Sequence, residues 1–174
     1  GVSLGTMVAN LSSHKRGWDD KWEYYSEWAE KGQAYKDELL RLVDEDTNAF
    51  NRIMDAFGLP KNSEAEKSVR KETILEATKG ATMVPFNIME MALASMEVML
   101  EMAKSGLMAS ISDAGVGALC ARTAVRGAYL NVRINVKDME APEFVSDILK
   151  RAEAIDNNAT IIEKEILALV DNGL

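Results

Sequence analysis

The sequence predicts an all-α protein, a bundle of long antiparallel helices. Proline occurs only at positions 60, 85 and 142, so residues that interrupt helices are rare. Strict alternation of β-branched and polar residues, which marks a half-buried strand, is hard to find. Apolar residues instead recur at the three- and four-residue spacing of amphipathic helices. A chain of 174 residues is long enough for one core, so we expect a single domain over residues 1–174.

The N-terminal part predicts one short apolar segment and one long helix. Residues 1–11 are small and apolar and begin as though a helix had been entered partway, so we expect an N-terminal portion to be missing. From Trp18 to about Phe57 apolar residues recur at helical spacing while charged residues occupy the other faces. This pattern predicts one long helix, which Gly32 could interrupt.

A Gly-Leu-Pro turn at residues 58–60 separates this helix from the next. Ser63 stands three residues before Glu66, the spacing of a capping box, so a new helix is expected to begin near Ser63. It can extend to about Lys104, with a kink at Pro85, because proline removes a helical donor and crowds the preceding turn. Ser and Gly at 105 and 106 then end it.

Small residues dominate the following helix, which Ser112 or Asp113 is expected to cap. Glycine and alanine recur over residues 114–128, so neighbouring helices can approach closely there. We therefore expect this helix to be central and its small-residue face to support a homodimer. Pro142 suits the first turn of a last helix, which is expected to run to about Asp171.

Charge and composition argue against several classes of partner. Twenty basic and twenty-eight acidic residues give a net charge of −8, which repels nucleic acid and anionic membranes. No segment reaches the ~18 consecutive apolar residues of a membrane span, and no signal peptide is recognisable, so we expect a cytoplasmic protein. One cysteine and one histidine do not supply a zinc shell, so we expect no metal.

Six short segments together resemble one known family. They are LGTMVANL at 4–11, VDEDTNAF at 43–50, GLPKN at 58–62, KGATMVP at 79–85, SDAGV at 112–116 and GAYLNVRIN at 127–135. In this order they are similar to the cyclodeaminase domain of formiminotransferase-cyclodeaminase and to its bacterial relatives, which include methenyltetrahydrofolate cyclohydrolases. The family's GGGSVAA-like segment, which precedes the first of these stretches, is absent from this sequence.

The resemblance implies a folate-dependent ammonia lyase of one-carbon metabolism and histidine degradation. Its substrate would be 5-formiminotetrahydrofolate and its products 5,10-methenyltetrahydrofolate and ammonia. A 5,10-methenyltetrahydrofolate cyclohydrolase is the enzymatic alternative, and a helical assembly module is the non-enzymatic one. The implied partners are a reduced folate, including its polyglutamylated forms, a second copy of the chain, and a formiminotransferase domain or protein. No cofactor is expected beyond tetrahydrofolate as the substrate carrier.

The resemblance places the catalytic aspartate of the family at Asp46. This residue ends a run of three acids and lies four residues before Phe50 and seven before Ile53, so it can lean toward the apolar side of its helix. A carboxylate at a closed helical interface loses solvation, which suits it to proton transfer near neutral pH. Without the resemblance, the three acids are more simply a solvated helix face.

Further candidates for substrate binding occur in loops and on the small-residue helix. Lys61 and Asn62 follow a proline turn, where Lys61 could pair with a folate carboxylate or where both could be exposed connection. Asn131 and Asn135 share a helix face and could bind a pterin edge, or instead satisfy helix ends or a polar subunit seam. Arg133 points elsewhere and could bind an anionic tail. Ser112 and Asp113 are secondary candidates, since an ordinary N-cap explains the same pair.

Overall fold

Five α-helices build the protein, and the computed structural model describes all residues 1–174. They are α1 (Val2–Ser13), α2 (Trp22–Phe57), α3 (Glu64–Ser105), α4 (Ile111–Val136) and α5 (Pro142–Gly173). A 3-10 turn at Met108–Ser110 directly precedes α4, and no residue lies in a strand. The predicted all-α class is therefore confirmed.

Successive long helices run in opposite directions. Tyr24 of α2 donates a hydrogen bond to Glu101 of α3, and Tyr35, later in α2, donates one to Glu97, earlier in α3. The two helices are therefore antiparallel. The same reversal holds between α4 and α5, where Arg122 pairs with Asp156 and Glu163, while Arg126, four residues later, pairs with the earlier of these two acids, Asp156. Connections of five or six residues join the long helices, which leaves each one packed against its neighbour in the chain.

The start of α3 matches the local signals in the sequence. The Ser63 hydroxyl accepts a hydrogen bond from the backbone N–H of Glu66 at 3.2 Å, and the Glu66 carboxylate accepts one from the backbone N–H of Ser63 at 3.0 Å. These reciprocal bonds form the predicted capping box. The helix then continues through Pro85 and ends at Ser105, one residue beyond the predicted end.

Two predicted helix starts are wrong. The second helix begins at Trp22 and not at Trp18, because residues 15–21 form turns in which the Trp18 N–H bonds to the Lys15 carbonyl and the Trp18 ring stacks on Tyr25. The fourth helix begins at Ile111, because the preceding 3-10 turn makes Ser110 its N-cap. Ser112 and Asp113 therefore lie inside its first turn and do not cap it. Gly32 does not interrupt α2.

The core lies around α3 and α4. α3 packs against all four other helices and α4 against α1, α3 and α5. Large fully buried side chains of α3 fill the centre, namely Phe86, Met89, Met96, Met99 and Met102. By length and composition alone α3 would be apolar enough to cross a membrane, but half of its most apolar stretch is buried inside this helical fold. A central core position accounts for its apolar character.

Small residues let the helices approach closely at the centre. A Cβ atom on Gly117 of α4 would lie 2.9 Å from the Met99 Cγ atom of α3 and 3.1 Å from the Gly1 carbonyl oxygen. Ala114, Ala118 and Ala121 continue this buried face of α4. The predicted central role of α4 is confirmed, and α3 shares it.

Candidate functional site

One cleft brings together residues from three consecutive helices. α2 contributes Asp46, Phe50 and Ile53, α3 contributes Ala81 and Pro85, and α4 contributes Asn131 and Asn135. On each helix the contributed residues are three or four positions apart, so they share one helix face. The cavity measures about 220 Å³ and is open to solvent. Three of the predicted site residues, Asp46, Asn131 and Asn135, therefore lie together.

Asp46 interrupts the inward face of α2. Leu42 lies four residues before it and Ala49 three residues after it, and both are buried. A residue between them on this face would ordinarily pack in the core. Asp46 is instead exposed, because the cleft opens at this point between α2 and α4. Within one chain, the loss of solvation expected for a carboxylate at a closed helical interface is therefore not observed.

No cationic or hydrogen-bonding side chain of this chain pairs with Asp46. The neighbouring Glu45 differs, because its carboxylate accepts a hydrogen bond from Arg52 at 2.8 Å. Phe50, Ile53 and Pro85 line the cleft beside Asp46 with apolar surface. The Asp46 carboxylate is thus free to exchange a proton with a bound molecule, next to walls on which a flat ring can pack.

Asn135 is held in place by α3. Its Nδ2 atom donates a hydrogen bond to the carbonyl oxygen of Ala81 at 3.3 Å. Asn131, one turn earlier on α4, is exposed and has no partner in the chain. The two amides therefore present both donors and acceptors along one side of the cleft, opposite the carboxylate on α2.

A second cleft of about 280 Å³ adjoins the first at Asn135. α3 lines it with Lys71, Ile74, Leu75 and Thr78, and the end of α4 and the loop after it line it with Ile134, Asn135, Asp138, Met139 and Glu140. Lys71 forms an ion pair with Glu140 at its rim. Ligand sites commonly measure ~300–1,000 Å³, so the two clefts together reach the size of a small-molecule site.

The remaining predicted site residues lie outside this cleft. Lys61 and Asn62 follow the end of α2, eleven residues and about 16 Å of helix beyond Asp46. The backbone N–H of Asn62 bonds to the Glu66 carboxylate at 2.7 Å, so it supports the start of α3. Ser112 and Asp113 lie at the opposite end of α4 from Asn135, about 33 Å away along the helix.

Arg133 also points away from the two asparagines, as its position on the helix predicts. Its guanidinium carbon lies 5.7 Å from the centroid of the Tyr129 ring. Sequence reasoning missed Ala81 and Pro85 as site residues, treating Pro85 only as a source of a kink. The signal for them was present, since a proline inside a helix leaves the carbonyl four residues earlier without its usual donor.

No group of three or more His, Cys, Asp or Glu side chains converges to hold a metal ion. The site therefore offers one carboxylate, two amides and apolar walls as its chemical groups. This set suits the binding of a polar heterocycle and the transfer of protons.

Comparisons with known proteins identify the family of the chain. A family model described as formiminotransferase-cyclodeaminase matches residues 1–154. A methenyltetrahydrofolate cyclohydrolase of Methylorubrum extorquens is 32% identical over 170 residues, covering 98% of this chain and 82% of that protein. The formimidoyltransferase-cyclodeaminase of Mus musculus is 31% identical over 160 residues, covering 88% of this chain. The chain spans only 30% of the length of that mouse relative.

The fold also matches a solved structure. The crystal structure of a formiminotetrahydrofolate cyclodeaminase from Thermotoga maritima superposes with a TM-score of 0.84. That match covers 98% of this chain and 81% of the other, at 22% sequence identity, so it shows a shared fold. With the family match spanning most of its length, the chain belongs to the formiminotransferase-cyclodeaminase family.

Proposed function

We propose that the cleft binds a reduced folate and that the chain is a 5-formiminotetrahydrofolate cyclodeaminase. The observation that carries this proposal is the convergence of Asp46 with Asn131 and Asn135 in one cleft. Membership of the formiminotransferase-cyclodeaminase family supports it. The products would be 5,10-methenyltetrahydrofolate and ammonia.

The reaction requires one proton to move between two nitrogen atoms. In the amidinium form of the substrate, N10 attacks the formimino carbon and forms the N10–C bond, which leaves N10 with a proton to lose. The formimino nitrogen must then gain a proton before its bond to carbon breaks and it departs as ammonia. Asp46 would take the first proton and deliver it to the leaving nitrogen, so a single carboxylate balances both steps.

The walls of the cleft suit the rest of the ligand. Asn131 and Asn135 provide donors and acceptors complementary to the edge of a pterin, while Phe50 and Ile53 provide apolar surface for its rings. Lys61 remains a candidate for binding the anionic glutamate tail, because it lies beyond the end of α2, away from Asp46 and the reacting part of the ligand.

A methenyltetrahydrofolate cyclohydrolase is the second candidate. The relative of this name in Methylorubrum extorquens is 32% identical and has a similar length, since 82% of it is covered. Water would add to the methenyl carbon, and the bond from that carbon to N5 would break to give 10-formyltetrahydrofolate. Asp46 would then take one proton from the attacking water and deliver it to N5, and the second water proton would be released to solvent as the formyl C=O bond forms.

We further propose that the functional unit is a homodimer. Apolar side chains remain exposed along one face of α2 and one face of α4, namely Val43, Phe50, Met54 and Phe57, and Val116, Leu119, Leu130 and Ile134. Phe50 is 61% exposed although it lies beside Asp46, so a second copy would cover the open side of the cleft. This cover would supply the desolvation that a single chain does not give Asp46.

The dimer is tested by light scattering at micromolar concentration. Leu119→Glu, on the α4 face, is expected to yield monomers, whereas Ile161→Glu, at a still more exposed apolar residue on α5, is expected to leave the dimer intact. A monomeric wild-type protein would refute the proposal.

A paired assay tests the reaction. The purified chain is given each folate substrate in turn, with the methenyl compound followed by absorbance and ammonia measured separately. Ammonia release with methenyl formation supports the cyclodeaminase, and loss of methenyl absorbance without ammonia supports the cyclohydrolase. Turnover of neither substrate would leave only the role of a helical assembly module.

A further inference from the structure

Pro85 leaves one carbonyl of α3 without its helical partner. In an α-helix the carbonyl of residue 81 accepts a hydrogen bond from the N–H of residue 85, and proline has no N–H. Ala81 and Pro85 are both buried, so water does not readily replace the lost donor. Asn135 of α4 fills this role, since its Nδ2 atom donates to the Ala81 oxygen at 3.3 Å.

This bond determines which way the Asn135 amide faces. A carbonyl oxygen only accepts, so the nitrogen of the amide must point at α3 and the oxygen must point away from it. One N–H is thereby committed to the protein. The Oδ1 atom has no partner in the chain, and with the second N–H it remains available to a molecule in the cleft.

We propose that Pro85 is a specificity-determining positioning residue that acts through Asn135. Because Pro85 has no backbone N–H, the Ala81 carbonyl is left without a helical donor. This carbonyl holds the Asn135 amide so that the amide oxygen remains available as an acceptor. The ligand recognised would be a heterocycle that offers an N–H donor beside an acceptor, such as an aminopyrimidinone edge. The inference rests on the proposed folate binding and explains how the site distinguishes one orientation of that edge.

A free asparagine would present either atom. Rotation of the amide by half a turn exchanges its donor and its acceptor, so an unrestrained side chain would bind the reversed edge equally well. The restraint favours one of two arrangements before the ligand arrives, which reduces the ordering required on binding. A proline inside a helix is destabilising, and local costs of this kind are expected at functional sites.

The test compares three variants by calorimetric titration with 5-formyltetrahydrofolate. Pro85→Ala restores the N–H that satisfies Ala81, and we expect it to raise thermal stability while weakening folate binding by about tenfold, the equivalent of ~1.4 kcal/mol. Asn135→Asp keeps the side-chain shape but removes the donor, and should weaken binding at least as much. Gly80→Ala also improves the helix, meets no atom within 4 Å, and should leave binding unchanged.

The double variant Pro85→Ala/Asn135→Asp separates positioning from structure. If Pro85 acts only through Asn135, the double variant binds no worse than Asn135→Asp alone. Unchanged affinity in Pro85→Ala would overturn the proposal, and so would unchanged affinity in Asn135→Asp if the first variant does not fold. Additive losses would also overturn it.

A spectroscopic readout keeps this inference distinct from the proposed function. The two side-chain N–H resonances of Asn135 should differ widely in the wild type, since one is hydrogen bonded, and should move toward free-amide values in Pro85→Ala. A wild-type protein that does not bind the folate probe would refute the proposed function while leaving this measurement valid. Identical resonances in both proteins would refute the restraint itself.

Discussion

Asp46 of α2 and Asn131 of α4 line one cleft, although nearly half of the chain lies between them in sequence. The helices on which they lie do not follow one another, and α3 bridges the gap by packing against both. The carboxylate and the amide therefore depend on α3 for their relative placement.

The first prediction concerns Asp46 itself. Asp46→Asn keeps the size of the side chain but removes the proton carrier, so kcat for ammonia release should fall by about a hundredfold or more. Helix content and folate affinity should change little, because Asp46 is exposed and pairs with no residue. Steady-state kinetics and titration with folate measure both effects.

Asp44→Asn is the matched control for this change. Asp44 is also an exposed acid of α2, but it lies outside the cleft, so its removal should leave turnover near normal. Normal turnover in Asp46→Asn together with a loss in Asp44→Asn would move the catalytic role to the other acid. Full activity in both variants would end the carboxylate mechanism.

The second prediction concerns the ion cluster between α4 and α5. Asp156 is only 8% exposed and accepts hydrogen bonds from Arg122 and Arg126, each at 2.9 Å. Asp156→Ala leaves the half-buried Arg122 without its main partner, so the free energy of unfolding should fall by about 3–5 kcal/mol. Urea unfolding followed by circular dichroism measures this loss.

An exposed pair on the same helix provides the comparison. Asp147 and Arg151 of α5 are exposed and 3.3 Å apart, so Asp147→Ala should change stability by no more than ~0.5 kcal/mol. Equal losses in the two variants would show that burial does not control the strength of these pairs.

The third prediction is a loss of stability in strong alkali that depends on Tyr35. Burial, and then the hydrogen bond to Glu97, raise the pKa of Tyr35 from 10.0 to about 12. Between these values the folded protein retains a proton that the unfolded chain releases. The stabilisation from Tyr35 is therefore complete below pH 10.0 and is lost as the pH rises through about 12.

Urea unfolding across this range tests the sign. Tyr35→Phe keeps the ring but removes the titrating hydroxyl, so its stability should decline less steeply with pH than that of the wild type. Parallel curves for the two proteins would contradict the assignment to Tyr35.

The fourth prediction contrasts two glycines. A Cβ atom on Gly106, which ends α3, would lie 2.6 Å from the Met102 carbonyl oxygen and 3.0 Å from the Val8 Cγ1 atom. Gly106→Ala should therefore lower stability by about 1–3 kcal/mol, because backbone atoms must shift. Gly80 lies inside α3 with open space around it, so Gly80→Ala should raise stability by about 0.5–1 kcal/mol. Thermal unfolding distinguishes the two, and a stabilising Gly106→Ala would refute the contact.

Local signals predicted the parts of the fold that local contacts determine. The capping box at Ser63 and Glu66 involves neighbours in sequence, as does the start of α5 at Pro142. The predicted starts of α2 and α4 were wrong because turns outside the periodic segments determine where these helices begin. Neither the stacking of Trp18 on Tyr25 nor the 3-10 turn before Ile111 leaves a periodic pattern in the sequence.

The candidate site divides in the same way. Helical spacing showed that Asn131 and Asn135 share a face and that Arg133 does not. It did not show that Asp46 would be exposed, because that depends on the gap between α2 and α4. The bond between Asn135 and the Ala81 carbonyl likewise depends on how two helices meet.

The three helices that form the cleft, α2, α3 and α4, are consecutive in the chain. Contacts between neighbouring elements need only short loops to close, so they tend to form early and rapidly in folding. α1 packs on its chain neighbour α2 and also on α3 and α4, and we expect its contacts with α3 and α4, which are distant in sequence, to form later. The candidate cleft would then take shape during synthesis once α4 has left the ribosome, while α5 still occupies the exit tunnel.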